Sequence, residues 1–133
     1  MRSVVATSLT LVLLVSAVSS CLFDTDSEAE DRARLQRLEA EIDALVGTPA
    51  CSDSSVCAFL GVGSKACGGF RRYVIFSKSS TDTARLMEKV QYLNALEDYF
   101  NHKYGWGSDC SVPRAPKVRC VDGICVDLNQ QED

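Results

Sequence analysis

The chain is poor in histidine, proline, methionine and tryptophan, with one, three, two and one of them among 133 residues. One histidine cannot build a typical zinc site, and no serine–histidine–carboxylate order is visible. Most hydrolase triads and His-rich metal sites are argued against on that ground. Positive charge is also scarce: 14 Lys and Arg face 18 Asp and Glu, a formal net charge of -4. A general nucleic-acid binder needs a basic face, so that class falls away. The Gly68-Gly69 pair forms no phosphate loop, because no Lys-Ser/Thr follows it. The one long apolar stretch, Val4 to Val18, is too short and too weakly flanked for a transmembrane helix. The length suits one small domain plus an extension.

Cysteine, by contrast, is plentiful, with seven residues. An odd count in an exported chain signals a thiol with a separate fate. The N-terminus supplies one. Arg2 gives a short positive region, Val4 to Val18 an apolar core, and Ser19 and Ser20 the small residues an export peptidase accepts. Residues 1–20 read as a removed leader. The segment Val18-Ser19-Ser20-Cys21 at its end resembles the lipobox of bacterial lipoprotein precursors. The resemblance implies a diacylglyceryl group on the Cys21 sulfur, cleavage before that residue and acylation of the new amino group. Two or more acyl chains hold a protein at a membrane, whereas one binds marginally. In the same family Asp at the second mature position tends to retain the protein in the inner membrane. Leu22 stands there, which implies the outer membrane. With Cys21 assigned to lipid, Cys51, Cys57, Cys67, Cys110, Cys120 and Cys125 remain, enough for three disulfides. Six cysteines allow fifteen connectivities, and the sequence does not choose among them. Disulfides also fit the oxidising compartment that export implies.

Charge divides the rest. Residues 22–46 hold eight acids and three Arg, a net of -5, while residues 47–133 hold ten acids and ten bases. Residues 28–46 have no Gly or Pro, and Leu35, Leu38, Ile42 and Leu45 recur at helical spacing. Residues 21–46 are therefore expected to form a lipid-anchored acidic helical stalk. Its apolar face either packs on the module's own core, makes a short coiled-coil contact or stays solvated. Gly47-Thr48-Pro49-Ala50 breaks the helix and opens the module of residues 47–133. Cys57 to Val62 and Phe70 to Phe76 read as strands. Residues 83–104 read as a long helix, with Leu86, Val90, Leu93, Leu96, Phe100 and Tyr104 in its stripe and Gly105 as its C-terminal stop. Asp122-Gly123 between apolar runs marks a hairpin over residues 118–126. The expected fold is α+β, a small antiparallel sheet of about four strands packed on one long helix, with three disulfides stabilising a small core.

Cys67-Gly68-Gly69, Tyr73, Phe76-Ser77, Ser108-Asp109-Cys110, Pro113 or Pro116 and Cys120-x-x-Gly123-x-Cys125 together make a second pattern. Over residues 67–125 it resembles a small exported Cys-rich bacterial module. The resemblance implies a fold and export, and no activity. Phe70 and Phe76 stand where that type has Pro and the Tyr of a Tyr-Ser pair.

Candidate chemistry is thin. His102 falls in the last turn of the long helix, where a cation suits the dipole, and capping is favoured over catalysis. The cysteine spacings lack paired zinc knuckles, so no metal or cofactor is expected. Cys67 reads as half of a disulfide rather than a reactive thiol. Glu97 lies near the apolar stripe, and its favoured place is the stripe's edge. Arg71, Arg72, Arg114, Lys117 and Arg119 read as solvated strand-face charge. Tyr104 and Trp106, set between glycines, are either a core plug or an exposed binding anchor. The expected function is a non-enzymatic, membrane-anchored lipoprotein whose module binds an envelope or secreted protein. The alternative is a protease inhibitor using residues 107–116, with Arg114 as its specificity residue.

Overall fold

The computed structural model describes residues 27–130. The leader, Cys21 and Leu22 lie outside the described residues. Among those described, no helix is long and apolar enough to cross a membrane. Helix α1 spans Glu28–Val46. It starts at a capping box: the Glu30 amide donates to Ser27 Oγ at 3.2 Å, and the Ser27 amide donates to Glu30 Oε2 at 3.1 Å. Strands β1 (Cys57–Val62) and β2 (Arg72–Ser77) form an antiparallel pair with Phe59 opposite Ile75. Helix α2 spans Thr83–Tyr104, capped by Asp82 at its start and by left-handed Gly105 at its end. Strands β3 (Val118–Val121) and β4 (Ile124–Asp127) close a second hairpin. Its turn residues, Asp122 and Gly123, both take the positive φ that a two-residue hairpin turn requires.

The fold is a mixed α and β arrangement of two helices and two two-stranded antiparallel sheets. The expected sheet of about four strands on one long helix is not formed. The reason lies in residues 49–54, which occupy the second hairpin. Cys125 donates its amide to the Pro49 carbonyl at 2.9 Å, and Cys51 donates to the Gly123 carbonyl at 2.8 Å. On the other side the Cys120 amide is taken by Ser54 Oγ at 3.2 Å. With these groups satisfied locally, the hairpin joins β1 covalently instead, through the Cys57–Cys125 disulfide. The other disulfides are Cys51–Cys120 and Cys67–Cys110. Cys120 and Cys125 are cross-strand neighbours, yet each bonds a more distant partner.

Of the three alternatives left open for the apolar face of α1, the first holds: it packs on the module's own core. Leu35, Leu38 and Ile42 are buried in one core with Leu86, Val90, Leu93 and Phe100 of α2 and Val62, Val74 and Phe76 of the first sheet. Each such apolar side chain contributes about 1.5–3 kcal/mol on burial. The acids of α1 meet bases of the module: Asp31 with Lys103 at 2.9 Å, Asp43 with Arg72 at 2.8 Å, Glu41 with Lys89 and Glu39 with Arg71. The charge asymmetry between the two segments is thus pairing across a shared interface. The Lys103 ammonium and then the Tyr104 hydroxyl hold the Asp31 carboxyl below its ordinary range.

Candidate functional site

Where β1 ends, the chain turns at Gly63 (φ 86°), in a space that has no room for a side chain. A Cβ there would lie 2.6 Å from Arg71 Nε and 2.9 Å from Glu97 Oε2. Asn94 and Glu97 of α2 meet this turn. The Gly63 amide donates to Asn94 Oδ1 at 2.7 Å and the Ser64 amide to Glu97 Oε2 at 2.8 Å. Glu97 is buried and also accepts from Arg71 Nε at 2.6 Å. Burial opposes the charge on Arg71, but its bonds to Glu39 and Glu97 outweigh that and hold the guanidinium above its ordinary value. The expectation that Glu97 would sit at the stripe's edge is corrected: it takes a core position because Ser64 and Arg71 satisfy it. Arg71 and Arg72 are likewise ion-paired to α1 rather than free strand-face charges.

The turn ends in a loop that carries Lys65, a buried lysine whose role has no local signature. Its ammonium reaches Asp109 Oδ1 at 2.8 Å, the Ser111 carbonyl at 2.6 Å and Ser111 Oγ at 2.8 Å. The Cys67–Cys110 disulfide joins the same two loops. Together they clamp the irregular segment that follows α2. Residues 106–117 form no helix or strand. Downstream the segment is held again. Asn129 Nδ2 donates to the Ala115 carbonyl at 3.0 Å, and the Lys117 amide donates to Asp127 Oδ1 at 2.8 Å. Between the two clamps, Val112, Pro113 and Arg114 make no hydrogen bond among the described residues. Val112 is 84% exposed, and Arg114 is exposed with no ion pair among the described residues.

An open cleft of about 740 Å³ lies at the foot of this loop, with Leu35, Lys65, Arg71, Glu97, Asn101 and Trp106 on its walls. Lys65, Arg71 and Glu97 there are already bonded to protein partners. Trp106 is half-buried. It stacks on Tyr104 at 5.4 Å between ring centres, Arg32 covers it at 3.9 Å, and its Nε1 donates to Glu28 at 2.8 Å. Of the two roles considered for Tyr104 and Trp106, this is nearer the plug, sealing the end of the helix pair. Arg114 lies on the loop beyond, away from these contacts. His102 is exposed and bonded through Nδ1 to the Asp98 carbonyl at 2.7 Å in the last turn of α2. The sulfurs of Cys51, Cys57 and Cys125 lie within 4.8 Å of one another, but all three are in disulfides and offer no thiolate ligand.

Two predictions arise from the clamp. Lys65, then the Ser111 hydroxyl and amide, hold the Asp109 carboxyl down to about 2, against an ordinary 3.8. A folded-state pKa below the unfolded one gives stability that is present above pH 4 and lost as pH falls through about 2. The Ser111 amide resonance is therefore expected to hold its position to pH 4 and to move only below it. Movement centred at or above pH 4 would show that the clamp does not form. The second concerns redox order. Cys67 and Cys110 are both exposed, whereas Cys57 and Cys125 are buried. Thiolate attack needs access to sulfur, so limiting dithiothreitol should open Cys67–Cys110 first, read by alkylation and mass mapping. Opening of Cys57–Cys125 ahead of it would contradict this.

No protein-family model, curated protein or solved structure matches the chain. The functional reading therefore rests on these residues and their geometry.

Proposed function

We propose that the protein is a non-enzymatic lipoprotein, anchored through Cys21 to the outer membrane, whose disulfide-bonded module binds an envelope or secreted protein. The observation that supports this best is the double clamp on residues 107–116. A buried lysine and a disulfide fix one side, Asn129 and Asp127 fix the other, and Val112 and Arg114 are left exposed between them. A loop ordered before binding loses little entropy when a partner docks. Cys21 lies seven residues before the start of α1 at Glu28, a reach of at most about 25 Å. In this reading the module works close to the lipid surface, which raises the effective concentration of partners there.

The test uses the full-length protein in its oxidised form. Capture from envelope and culture extracts is compared with the Val112→Asp/Arg114→Glu double variant and with Lys65→Met, which frees the loop but keeps its exposed side chains. A partner held by the parent and lost or weakened with both variants supports the reading. Equal capture by all three, or none by any, overturns it. The anchor has a separate readout: intact mass from the membrane fraction should show acyl mass on a chain starting at Cys21. A soluble chain with an unmodified Cys21 would refute the anchor.

A further inference from the structure

We propose that the clamped segment is the reactive site of a protease inhibitor. Arg114–Ala115 is the bond presented, and the target is a serine endopeptidase with an acid in its primary specificity pocket. The inference rests on the binding reading above and names the class of its partner.

Three features of this segment point to a protease rather than to a general surface contact. The first is its backbone. Pro113 and Pro116 fix φ at about -65° and restrict Val112 and Ala115 to extended conformations. Proteases bind substrates as extended chain, and the two prolines bias the residues on either side of Arg114 towards that shape. The second is Arg114. Arg114 is exposed and has no ion pair among the described residues. Other exposed cations, such as Arg37, Arg85 and Arg119, also have no ion pair among the described residues, but they lie on helices or a strand, whereas Arg114 lies on the clamped irregular segment. An acid at the base of a primary pocket selects such a side chain. The residue after it is Ala115, not proline, so the amide has an ordinary leaving nitrogen.

The third feature separates an inhibitor from a substrate. In the forward step the protease serine oxygen adds to the Arg114 carbonyl carbon. Its proton passes through the enzyme's histidine to the Ala115 nitrogen, and the C–N electron pair leaves with that nitrogen. This gives an acyl-enzyme and a free Ala115 amine. In a loose loop the amine departs, and water then hydrolyses the ester. Here Asn129 holds the Ala115 carbonyl and Asp127 holds the Lys117 amide, while Lys65 and Cys67–Cys110 hold the acyl side. Both ends stay in place after scission. The amine re-adds to the ester carbonyl, returns its proton to the serine through the histidine and restores the peptide bond. Reversal outruns hydrolysis because the nucleophile is held at high effective concentration.

The experiment titrates the oxidised full-length protein against trypsin, whose pocket carries an acid, and chymotrypsin, whose pocket is apolar. Stoichiometric inhibition of trypsin is expected, with little effect on chymotrypsin. Arg114→Ala should weaken trypsin inhibition by about 100-fold or more, as for an interface hot spot. Arg114→Phe should transfer inhibition to chymotrypsin. Arg114 is exposed, so both variants should keep the parent's unfolding midpoint, which is measured alongside. Rapid cleavage at Arg114–Ala115 without inhibition overturns the proposal, as does inhibition that Arg114→Ala leaves intact. Indifference of trypsin to the protein also overturns it. If a non-protease partner is nonetheless captured in a Val112- and Arg114-dependent manner, the binding reading stands and only the protease assignment fails.

Discussion

Replacing Ile42 with alanine is expected to destabilise the protein by about 2–5 kcal/mol, the range for emptying a buried aliphatic site. Ile42 is fully buried between α1, α2 and the first sheet. A domain of this size has a total stability of about 5–15 kcal/mol, so the loss is a large share of it. Urea unfolding followed by tryptophan fluorescence would read it directly, since Trp106 packs on Tyr104 at the end of the helix pair. Arg37→Ala on the exposed face of the same helix is the control, expected within about 0.5 kcal/mol of the parent. The contrast distinguishes an integral helix from a spacer. A spacer would tolerate both changes equally. By the same reasoning residues 47–133 alone should lose cooperative unfolding, because removing α1 uncovers Leu86, Val90 and Leu93. Cooperative unfolding of that fragment at the parent's midpoint would overturn the assignment of α1 to the core.

Removing the Cys57–Cys125 disulfide, with alanine at both positions, should have an effect of similar size. The bond closes 68 residues of chain. Cys51–Cys120 already closes nearly the same stretch, so the extra ring is about a dozen residues and the loop-entropy relation puts the stabilisation at about 3 kcal/mol. Here the effect also has a structural route. No backbone ladder joins the two hairpins, so this disulfide and Cys51–Cys120 are the covalent ties between the second hairpin and the rest. The expected result is a lowered melting temperature together with loss of protection at the amides of Val118 to Asp127. A drop in melting temperature without local loss of protection would mean that β3 and β4 are held by packing instead. Removal of Cys67–Cys110 should act differently, loosening residues 106–117 while β3 and β4 keep their protection. Loss of protection in that hairpin as well would contradict the division of labour.

Much of the local structure was legible because its signals are local. The Gly- and Pro-free run with Leu35, Leu38, Ile42 and Leu45 at helical spacing marks α1, Gly105 ends α2, and Asp122-Gly123 marks the second turn. The first expected strand matches β1. The second, expected over residues 70–76, instead runs over 72–77, because Phe70 leaves the ladder and lies over Gly61. At the candidate site the loop itself was recognisable from Cys110, Pro113 and Pro116. Its clamps were not. Nothing near Lys65 in the chain marks it as buried, since its acceptors are 44 and 46 residues away. Glu97 shows the same limit. Its spacing from Leu93 and Phe100 places it on the apolar stripe, but the groups that let a carboxylate stay there, Ser64 and Arg71, come from the β1–β2 connection.

The chain alone therefore settled the helices, the turn of the second hairpin and the supply of six cysteines, since each depends on residues a few positions apart. Tertiary structure decided three further matters: the cysteine pairing, the incorporation of an acidic helix into the core, and the separation of the strands into two hairpins. Each turns on which distant groups satisfy one another. An acidic helix reads as solvated until Arg71, Arg72, Lys89 and Lys103 are seen opposite it. A hairpin reads as one more strand pair for the sheet until Pro49, Cys51 and Ser54 take the backbone groups that would have joined it. Hydrogen-bond and charge satisfaction across long sequence separations is a property of the packed chain, and that is where the fold was decided.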